Sequence, residues 1–552
     1  MSISAIDATR VFPEDWHANL SPGPPFTLDA MHRPFPLSPL YASFTNDGFL
    51  TALREYRVPV IARESVLRNY YRFDRMVMAE PRDEEEAVTL FAPAEKALEH
   101  EVGRQLERWH GEHLPAVRKH LARLDRLDPA LSELEQALDE VGAIITDVWT
   151  IHFRIVLPMM LAMQTFDELH ADLFGGTDAD AHALLVGELS ESIKTGFGLS
   201  DLAQAARELG LAPVLLESGP DDLQANIERS AGGPDFLARL DEFLTVYGFR
   251  QDLFDYITST WIEDPSFALA AIRTYLESER DLRRDHEATA RSADAALEVA
   301  RERLAAYPAP VRERFEAVLQ YARHATFLQE EHNFYIDQQA TARLRFFYLR
   351  IGQRLMEAGL IERLDDIMML THEELAGIAA DPGKPGLSLD LRRTVKTRRQ
   401  ELDIARRLEP PPFLGNTPPS PPPFSNPMLR GTARFWGAPP EPSTDPSEIR
   451  GLAGAKGEVT GTARVVRTLR DAQALQPGEI LVAITTMPPW TPLFAVAAAV
   501  VTETGGPLSH CAIVAREYGI PAVVGAPGAT SRIATGQRIA VDGGTGIVTL
   551  GD

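Results

Sequence analysis

Proline divides this chain. The stretches EPPPFLGNTPPSPPPFSNPML (Glu409 to Leu429) and GAPPEPSTDPSE (Gly437 to Glu448) carry so many prolines that neither a helix nor a central strand can run through them. Each proline lacks an amide donor, and its ring blocks the preceding turn. Secondary structure upstream and downstream must therefore form separately. In polyproline geometry, at about 3.1 Å per residue, roughly forty residues reach on the order of 100 Å. That predicts a semi-rigid connector over 409–450; the competing expectation is an ordered strap anchored by Phe413, Phe424, Phe435 and Trp436.

Upstream, from about Ala94 to Arg407, apolar residues recur at spacings of three and four, as in AEKALEHEVGRQLERWHGEHLPAVRKHLARL (Ala94 to Leu124) and VWTIHFRIVLPMMLAMQTFDELHADLF (Val148 to Phe174). The second is apolar nearly all round for part of its length, which predicts a core helix kinked at Pro158. The fold class expected is multidomain: a mainly α domain over 91–408 with a 1–90 N-terminal extension packed on it, the 409–450 linker, and a C-terminal α/β (β/β/α) domain over 451–552.

At 552 residues with 44% hydrophobic content, the chain can fill two to four domain cores. One cysteine excludes an internal disulfide framework and suits a reducing cytoplasm. A formal net charge of -24 argues against nucleic acid as a partner, since phosphate backbones are bound by basic faces. The basic run RRTVKTRRQ (Arg392 to Gln400) reads as a solvated helix face. The N-terminus has no basic region followed by an apolar core, and no run approaches the roughly 18 apolar residues of a membrane span. These features predict a cytoplasmic protein with no membrane or nucleic-acid partner. No P-loop or dinucleotide fingerprint and no metal-ligand motif is found.

The stretch TETGGPLSHCAIVAREYGIPAVVG (Thr502 to Gly525) carries the chemistry. The apolar run AVAAAVVT (Ala495 to Thr502) reads as a buried strand, and Gly505-Gly506-Pro507 breaks it. A helix follows, with Ser509 as N-cap and Gly519 and Pro521 as stop signals, so His510 falls in its first turn. Amides at a helix start have no intrahelical partners, and glycines let neighbouring amides turn toward one point. Gly505, Gly506 and Ser509 are thus the candidate anion-binding residues, and His510 the candidate phosphoryl carrier. A histidine with an ordinary value of about 6.5 is largely neutral at pH 7 and keeps a lone pair for attack on phosphorus. Cys511 is read as a small core residue.

Residues 455–552 resemble the swivelling phosphohistidine domain of the PEP-utilising enzymes, among them pyruvate phosphate dikinase, PEP synthase, enzyme I of the sugar phosphotransferase system and rifampicin phosphotransferase. Besides the histidine block, AKGEVTGTARVVRT (Ala455 to Thr468), PGEILVA (Pro477 to Ala483), TTMPPWTPLF (Thr485 to Phe494) and GQRIAVDGGTGIVTL (Gly536 to Leu550) carry the resemblance. The chain departs from the dikinases at Leu508, where those carry a hydroxyl residue two places before the histidine; the rifampicin-phosphotransferase branch looks closer. LSPLYASF (Leu37 to Phe44), LLVGELSES (Leu184 to Ser192), YGFR (Tyr247 to Arg250), WIEDPS (Trp261 to Ser266) and the run from Glu330 to Leu375 together look like the substrate-binding domain of the same branch. Such chains tend to carry a Glu-x-Asp pair before the tryptophan. Here Asp255 fills the Asp place and Leu253 stands at the Glu.

Glu331, His332, Arg343 and Arg350 lie on a helical stretch rich in aromatics. His332, Ile336, Arg343, Phe347 and Arg350 share roughly one face at helical spacing, with the arginines placed to hold a phosphoryl or carboxylate group. Core salt bridges are the alternative. Arg250 and Asp255, near Trp261, form a second candidate cluster, and His152 is read as a satisfied core histidine.

Full-length relatives load the histidine with an ATP-grasp domain, and the dikinases and PEP synthase add a PEP-binding barrel; neither pattern is found in these residues. No cofactor site is therefore assigned to the chain. The resemblance implies a phosphotransferase module in which His510 receives a phosphoryl group from an ATP-grasp partner using ATP and Mg, as in phenylphosphate synthase, and passes it to a small-molecule substrate; the aromatics after Glu331 point to a bulky, apolar ligand, with a plain core helix as the alternative. Two other classes stay open: a nucleotide-independent enzyme, such as a dehydratase of a hydroxylated natural-product intermediate, with His510 as acid or base; and a non-catalytic protein that sequesters a ligand.

Overall fold

The computed structural model describes residues 12–79, 81–219, 222–278, 280–381, 383–416, 443–472 and 474–551. Two compact units are woven from alternating stretches of chain: Met1–Leu157, Leu253–Thr258 and Tyr335–Asn426 form one, and Pro158–Asp252, Ser259–Phe334 and Pro427–Asp552 the other.

The first unit contains a sheet that the helical pattern gave no sign of. Its strands are β1 (Phe26–Leu28), β2 (Val60–Arg68), β3 (Tyr71–Met78) and β4 (Phe413–Leu414), in the antiparallel order β2-β3-β1-β4. Asn69 and Tyr70, at φ 47° and 67°, make the two-residue turn between β2 and β3, and such a left-handed pair matches the twist of hairpin strands. Phe26, Val66, Tyr71, Phe73 and Leu414 form its core. Phe413, one of the expected strap anchors, thus lies in a strand. Phe424, Phe435 and Trp436 lie outside the described residues.

The predicted Ala94–Leu124 helix is broken. Glu84–Val102 ends at Gly103, and Gln105–Arg108 leads through a π-turn, Trp109–His113, into Leu114–Asp125. Pro115 has no amide for the preceding turn, and the helix widens just before it. The helix around Val148 is longer than expected, running from Leu134 to Phe174 with Pro158 inside it. Contrary to the sequence reading, Leu131–Phe174 is long and apolar enough to cross a membrane. With 67% of its apolar window buried within the protein, it is built as a core helix.

The second unit joins helices to an α/β region. Its strands are β5 (Glu448–Arg450), β6 (Leu452–Ala455), β7 (Glu458–Val466), β8 (Ile480–Ala483), β9 (Ala499–Thr502), β10 (Ala522–Val524), β11 (Arg538–Asp542) and β12 (Ile547–Leu550). They lie in the order β5-β12-β11-β7-β8-β9-β10-β6. The run β7 to β10 is parallel, and the flanking pairs are antiparallel. β8 and β9 are buried at every residue, as parallel strands covered on both faces must be. The multidomain class, mainly α with a C-terminal α/β region, is what the sequence predicts.

Several hydrogen bonds seat this region on the helices of its own unit. Arg280 donates to the carbonyls of Ala495 and Tyr518 (3.2 and 3.1 Å), Tyr275 Oη to Pro492 O (3.0 Å), and Trp490 Nε1 to Asp252 Oδ1 (3.0 Å). A Cβ on Gly543 would stand 1.8 Å from the Ala455 carbonyl oxygen and 2.8 Å from the Ala522 nitrogen, both backbone. Gly543→Ala is therefore expected to lower stability by more than ~2 kcal/mol in a denaturant melt. Gly536→Ala, at φ +90° with nothing within 4 Å of the added carbon, is expected to cost about 1 kcal/mol.

Candidate active site

In open parallel sheets the space beyond the carboxyl ends of the strands is where loops converge, and His510 and Thr491 are both delivered there. β9 ends at Thr502, and the loop after it leads to the helix His510–Glu517, N-capped by Ser509. β8 ends at Ala483, and its loop brings in Thr491. The turn before His510 depends on glycine: Gly505 sits at φ +95°, and the Ser509 amide closes on the Gly506 carbonyl at 2.9 Å. The Ser509 hydroxyl accepts from the Ala512 amide at 3.5 Å. With the Ser509 amide spent in the turn, the amides of His510 and Cys511 are the ones a helix start leaves without intrahelical partners.

His510 is buried, at 7% exposure. Its Nδ1 lies 2.9 Å from Glu330 Oε1, near the end of the Ala309–His332 helix, and its Nε2 lies 3.3 Å from Thr491 Oγ1. The other Glu330 oxygen accepts from Ser192 Oγ at 2.5 Å. Burial pushes the Glu330 carboxyl up. The charge and hydrogen bond of His510, with the Ser192 hydroxyl, outweigh that and hold it below its ordinary value. Thr491 donates its proton to the Pro488 carbonyl at 2.7 Å, so it turns a lone pair toward Nε2. With a carboxylate on one nitrogen and an acceptor on the other, this arrangement is fully satisfied when the ring carries both protons. Release of the Nε2 proton opens a lone pair on the nitrogen that faces away from Glu330.

Arg250 lies beside this pair and is fully buried. It donates to Thr195 Oγ1 (2.6 Å) and the Pro488 carbonyl (3.1 Å), and its guanidinium lies 5.6 Å from the ring centres of both Trp261 and Phe334. Burial lowers it to about 10, so it stays charged. Glu331 points elsewhere, accepting from the Glu191 amide at 3.2 Å; burial and then the Glu191 charge raise it to about 7. His332 turns Nδ1 to the Leu328 carbonyl at 2.7 Å. Glu517, at the far end of the His510 helix, accepts from the Gly187 amide at 3.2 Å, and burial raises it to about 8. Cys511 is buried, and its thiol is pushed up to about 11 by burial, so it is no nucleophile.

The remaining candidates belong to the first unit. Asp255 accepts from the Ser38 amide and hydroxyl (2.6 and 2.5 Å) and from the Ile257 amide (3.0 Å), fixing the start of the LSPLYASF helix; burial raises it to about 6. Arg343 donates to Asp125 Oδ2 and Gln339 Oε1 (both 3.0 Å), and Arg350 to the carbonyls of Leu127 (3.0 Å) and Leu124 (3.4 Å), at the end of the Leu114–Asp125 helix. His152 Nδ1 lies 2.8 Å from Asp337 Oδ1. The single face drawn from His332 to Arg350 is interrupted, because Asn333–Gln338 is a π-helical stretch that shifts the register of the helix after it.

Glu330, Thr491, Ser192 and Thr195 were missed as site residues, although the first three lie in blocks that carry the family resemblance. The last turn of the Ala309–His332 helix is buried on all sides, from Leu328 through His332, so helical periodicity could not separate Glu330 from Glu331.

Similarity to known proteins respects the same division. Residues 475–546 match the mobile domain of PEP-utilising enzymes, and residues 152–330 match the fourth domain of rifampicin phosphotransferase. The chain thus carries two segments similar to domains of the PEP-utilising enzymes and rifampicin phosphotransferase. It is 37% identical over 519 residues to the chondramide synthase of Chondromyces crocatus, covering 91% of this chain and 13% of that protein. It is 28% identical over 526 residues to the uncharacterised phosphotransferase YvkC of Bacillus subtilis, covering 93% of this chain and 60% of that one. With the rifampicin phosphotransferase of Streptomyces sviceus it shares 28% identity over 455 residues, 79% of this chain and 48% of the relative. The chain thus spans less than two thirds of each.

Glu517 gives a stability test. Below about pH 4.5 the carboxyl is protonated in the folded and the unfolded protein alike. Between there and about 8 the unfolded chain releases the proton while the folded one retains it, so stability falls as pH rises and levels off above the folded value. Glu517→Gln keeps an acceptor for Gly187 and removes this slope. Thermal melts from pH 5 to 9 should show the variant gaining on the unaltered protein toward alkaline pH, by on the order of a few kcal/mol.

Proposed function

We propose that this chain is a phosphotransferase module in which His510 Nε2 carries a phosphoryl group to a hydroxyl or carboxylate of a small molecule. One observation carries the reading: Glu330 engages Nδ1 and leaves Nε2 as the nitrogen facing away from the carboxylate, on a ring at the first position of a helix. The family matches and the two named phosphotransferases support the same reaction class. In the transfer step the Nε2–P bond breaks and an O–P bond forms; a hydroxyl acceptor's proton passes to the lone pair regained by Nε2, and a carboxylate acceptor has none to give. Such chemistry asks mainly for in-line positioning and charge stabilisation. Arg250, three hydrogen bonds from Nε2 through Pro488 and Thr491, holds the loop that meets it. The phosphoryl donor in this reading is an ATP-dependent partner, which binds ATP and magnesium and loads His510.

A second reading has its own support. The paired imidazole and carboxylate, with a lone pair of Thr491 on Nε2, form an acid-ready couple. Nε2–H can protonate a leaving hydroxyl, which departs as water, while a second group removes a proton from the neighbouring carbon. The similarity to a chondramide synthase supports natural-product chemistry for that alternative.

Intact-mass and acid-labile phosphate analysis separates them. After incubation with ATP or PEP and extract of the source cells, the unaltered protein is expected to gain one phosphoryl group, and His510→Ala none. Glu330→Gln is expected to keep the label but to slow its onward transfer by about 100-fold or more. Turnover by the purified chain without nucleotide, with no label under any condition, would replace the first reading by the second.

A further inference from the structure

One face of the β2–β3 hairpin is apolar and belongs to the core of the first unit, where Val66 pairs with Phe73. Side chains alternate along a strand, so the other face takes Arg63 and Ser65 from β2 and Arg72 and Asp74 from β3, with Ser65 directly opposite Asp74. Arg33 joins them from the turn after β1, which Asp29 closes by accepting from the His32 amide at 3.1 Å. The guanidiniums of Arg33, Arg63 and Arg72 lie 3.9, 3.2 and 3.1 Å from the Asp74 carboxylate.

One ion pair would tie the hairpin to this turn, and each further cation adds repulsion unless an anion meets it. Asp29, 3.0 Å from Arg33, is the second anion. Three charges against two leave a positive surplus, in a chain whose formal net charge is -24. Burial pushes both carboxyls up, but His32 and Arg33 at Asp29, and the three arginines at Asp74, outweigh it and keep both ionised. Burial lowers Arg72, Asp74 opposes the fall, and the like charges of Arg33 and Arg63 add to it.

Arg75, on the core face, shows how an arginine with a purely structural task is used here. Its Nε and Nη2 donate to Glu64, and its Nη1 to the carbonyls of Ser21 and Pro24. In the trio, by contrast, Nη1 of Arg33, of Arg63 and of Arg72 makes no hydrogen bond among the described residues, and none of the three is sealed from solvent. The side chains are 17%, 23% and 15% exposed, so the cluster is recessed yet open. Tyr41 lies in the same field, its hydroxyl raised by burial and pulled back by Arg33 and Arg72, and that hydroxyl also makes no hydrogen bond among the described residues.

We infer that this cluster is an anion-binding site for a phosphate group, whose oxygens accept from Arg33, Arg63, Arg72 and the Tyr41 hydroxyl. A phosphate presents three terminal oxygens to three guanidiniums, where a carboxylate has only two. The site is separate from His510, and the inference makes no use of the transfer reading.

Titration calorimetry of the full chain at low ionic strength, where screening is least, tests it with inorganic phosphate, phenyl phosphate and benzoate. Saturable binding of phosphate is expected, with benzoate about tenfold weaker or more. Tighter binding of phenyl phosphate would mark an organic ester as the ligand, and equal binding free phosphate. Arg63→Gln, which removes one hydrogen bond to Asp74, should weaken phosphate by about tenfold or more, and His510→Ala should leave it unchanged. Should Arg63→Gln fail to fold, crystals of the unaltered protein soaked in tungstate, a tetrahedral oxyanion, should show the ion among the three guanidiniums. No saturable phosphate binding, benzoate equal to phosphate, undiminished affinity in Arg63→Gln, or tungstate absent from the trio would each overturn the site.

Discussion

The pairing of a buried imidazole with a buried carboxylate governs the second unit. Neither His510 nor Glu330 can be charged in a dry interior without a partner, and neither has enough water around it to do without. Each arrangement around them answers that need. Ser192 satisfies the second carboxylate oxygen, Thr491 the second ring nitrogen, and Arg250 ties the Thr491 loop to Thr195. The glycine turn and the Ser509 cap then have one task, which is to deliver the ring at the first position of a helix.

Around that pair the interior is acidic in composition but less so in charge. Glu331 and Glu517 are held up near 7 and 8 by burial, while Arg250 and Arg516, each lowered only to about 10, remain cationic. Near neutral pH the arginines are therefore opposed by fewer full negative charges than a count of carboxyls implies. That balance favours a group that gains negative charge during reaction.

Much of the fold was legible because backbone chemistry announces itself. Ser509 and Gly519 marked the ends of the His510 helix. What escaped was set by tertiary burial or by local departures from the ideal helix. Pro115 and the π-turn before it broke a pattern that read as one helix, and the π-helical stretch at 333–338 spoiled a face drawn at helical spacing. The β2–β3 hairpin turns on Asn69-Tyr70 rather than a glycine pair, so its signal was weak. Arg343 and Arg350 looked like anion binders, yet hold the end of the Leu114–Asp125 helix. Leu508, noted as a departure from the dikinases, is a buried residue in the turn ahead of His510.

The alternation of the two units along the chain has a consequence for its parts. The imidazole comes from residue 510 and the carboxylate that engages it from residue 330, on opposite sides of the proline-rich segment. A fragment cut at that segment would keep a folding pattern of strands and helices for the α/β region, complete with its histidine. It would nevertheless lack the carboxylate that engages its imidazole, since that pair belongs to two distant stretches of sequence rather than to either one.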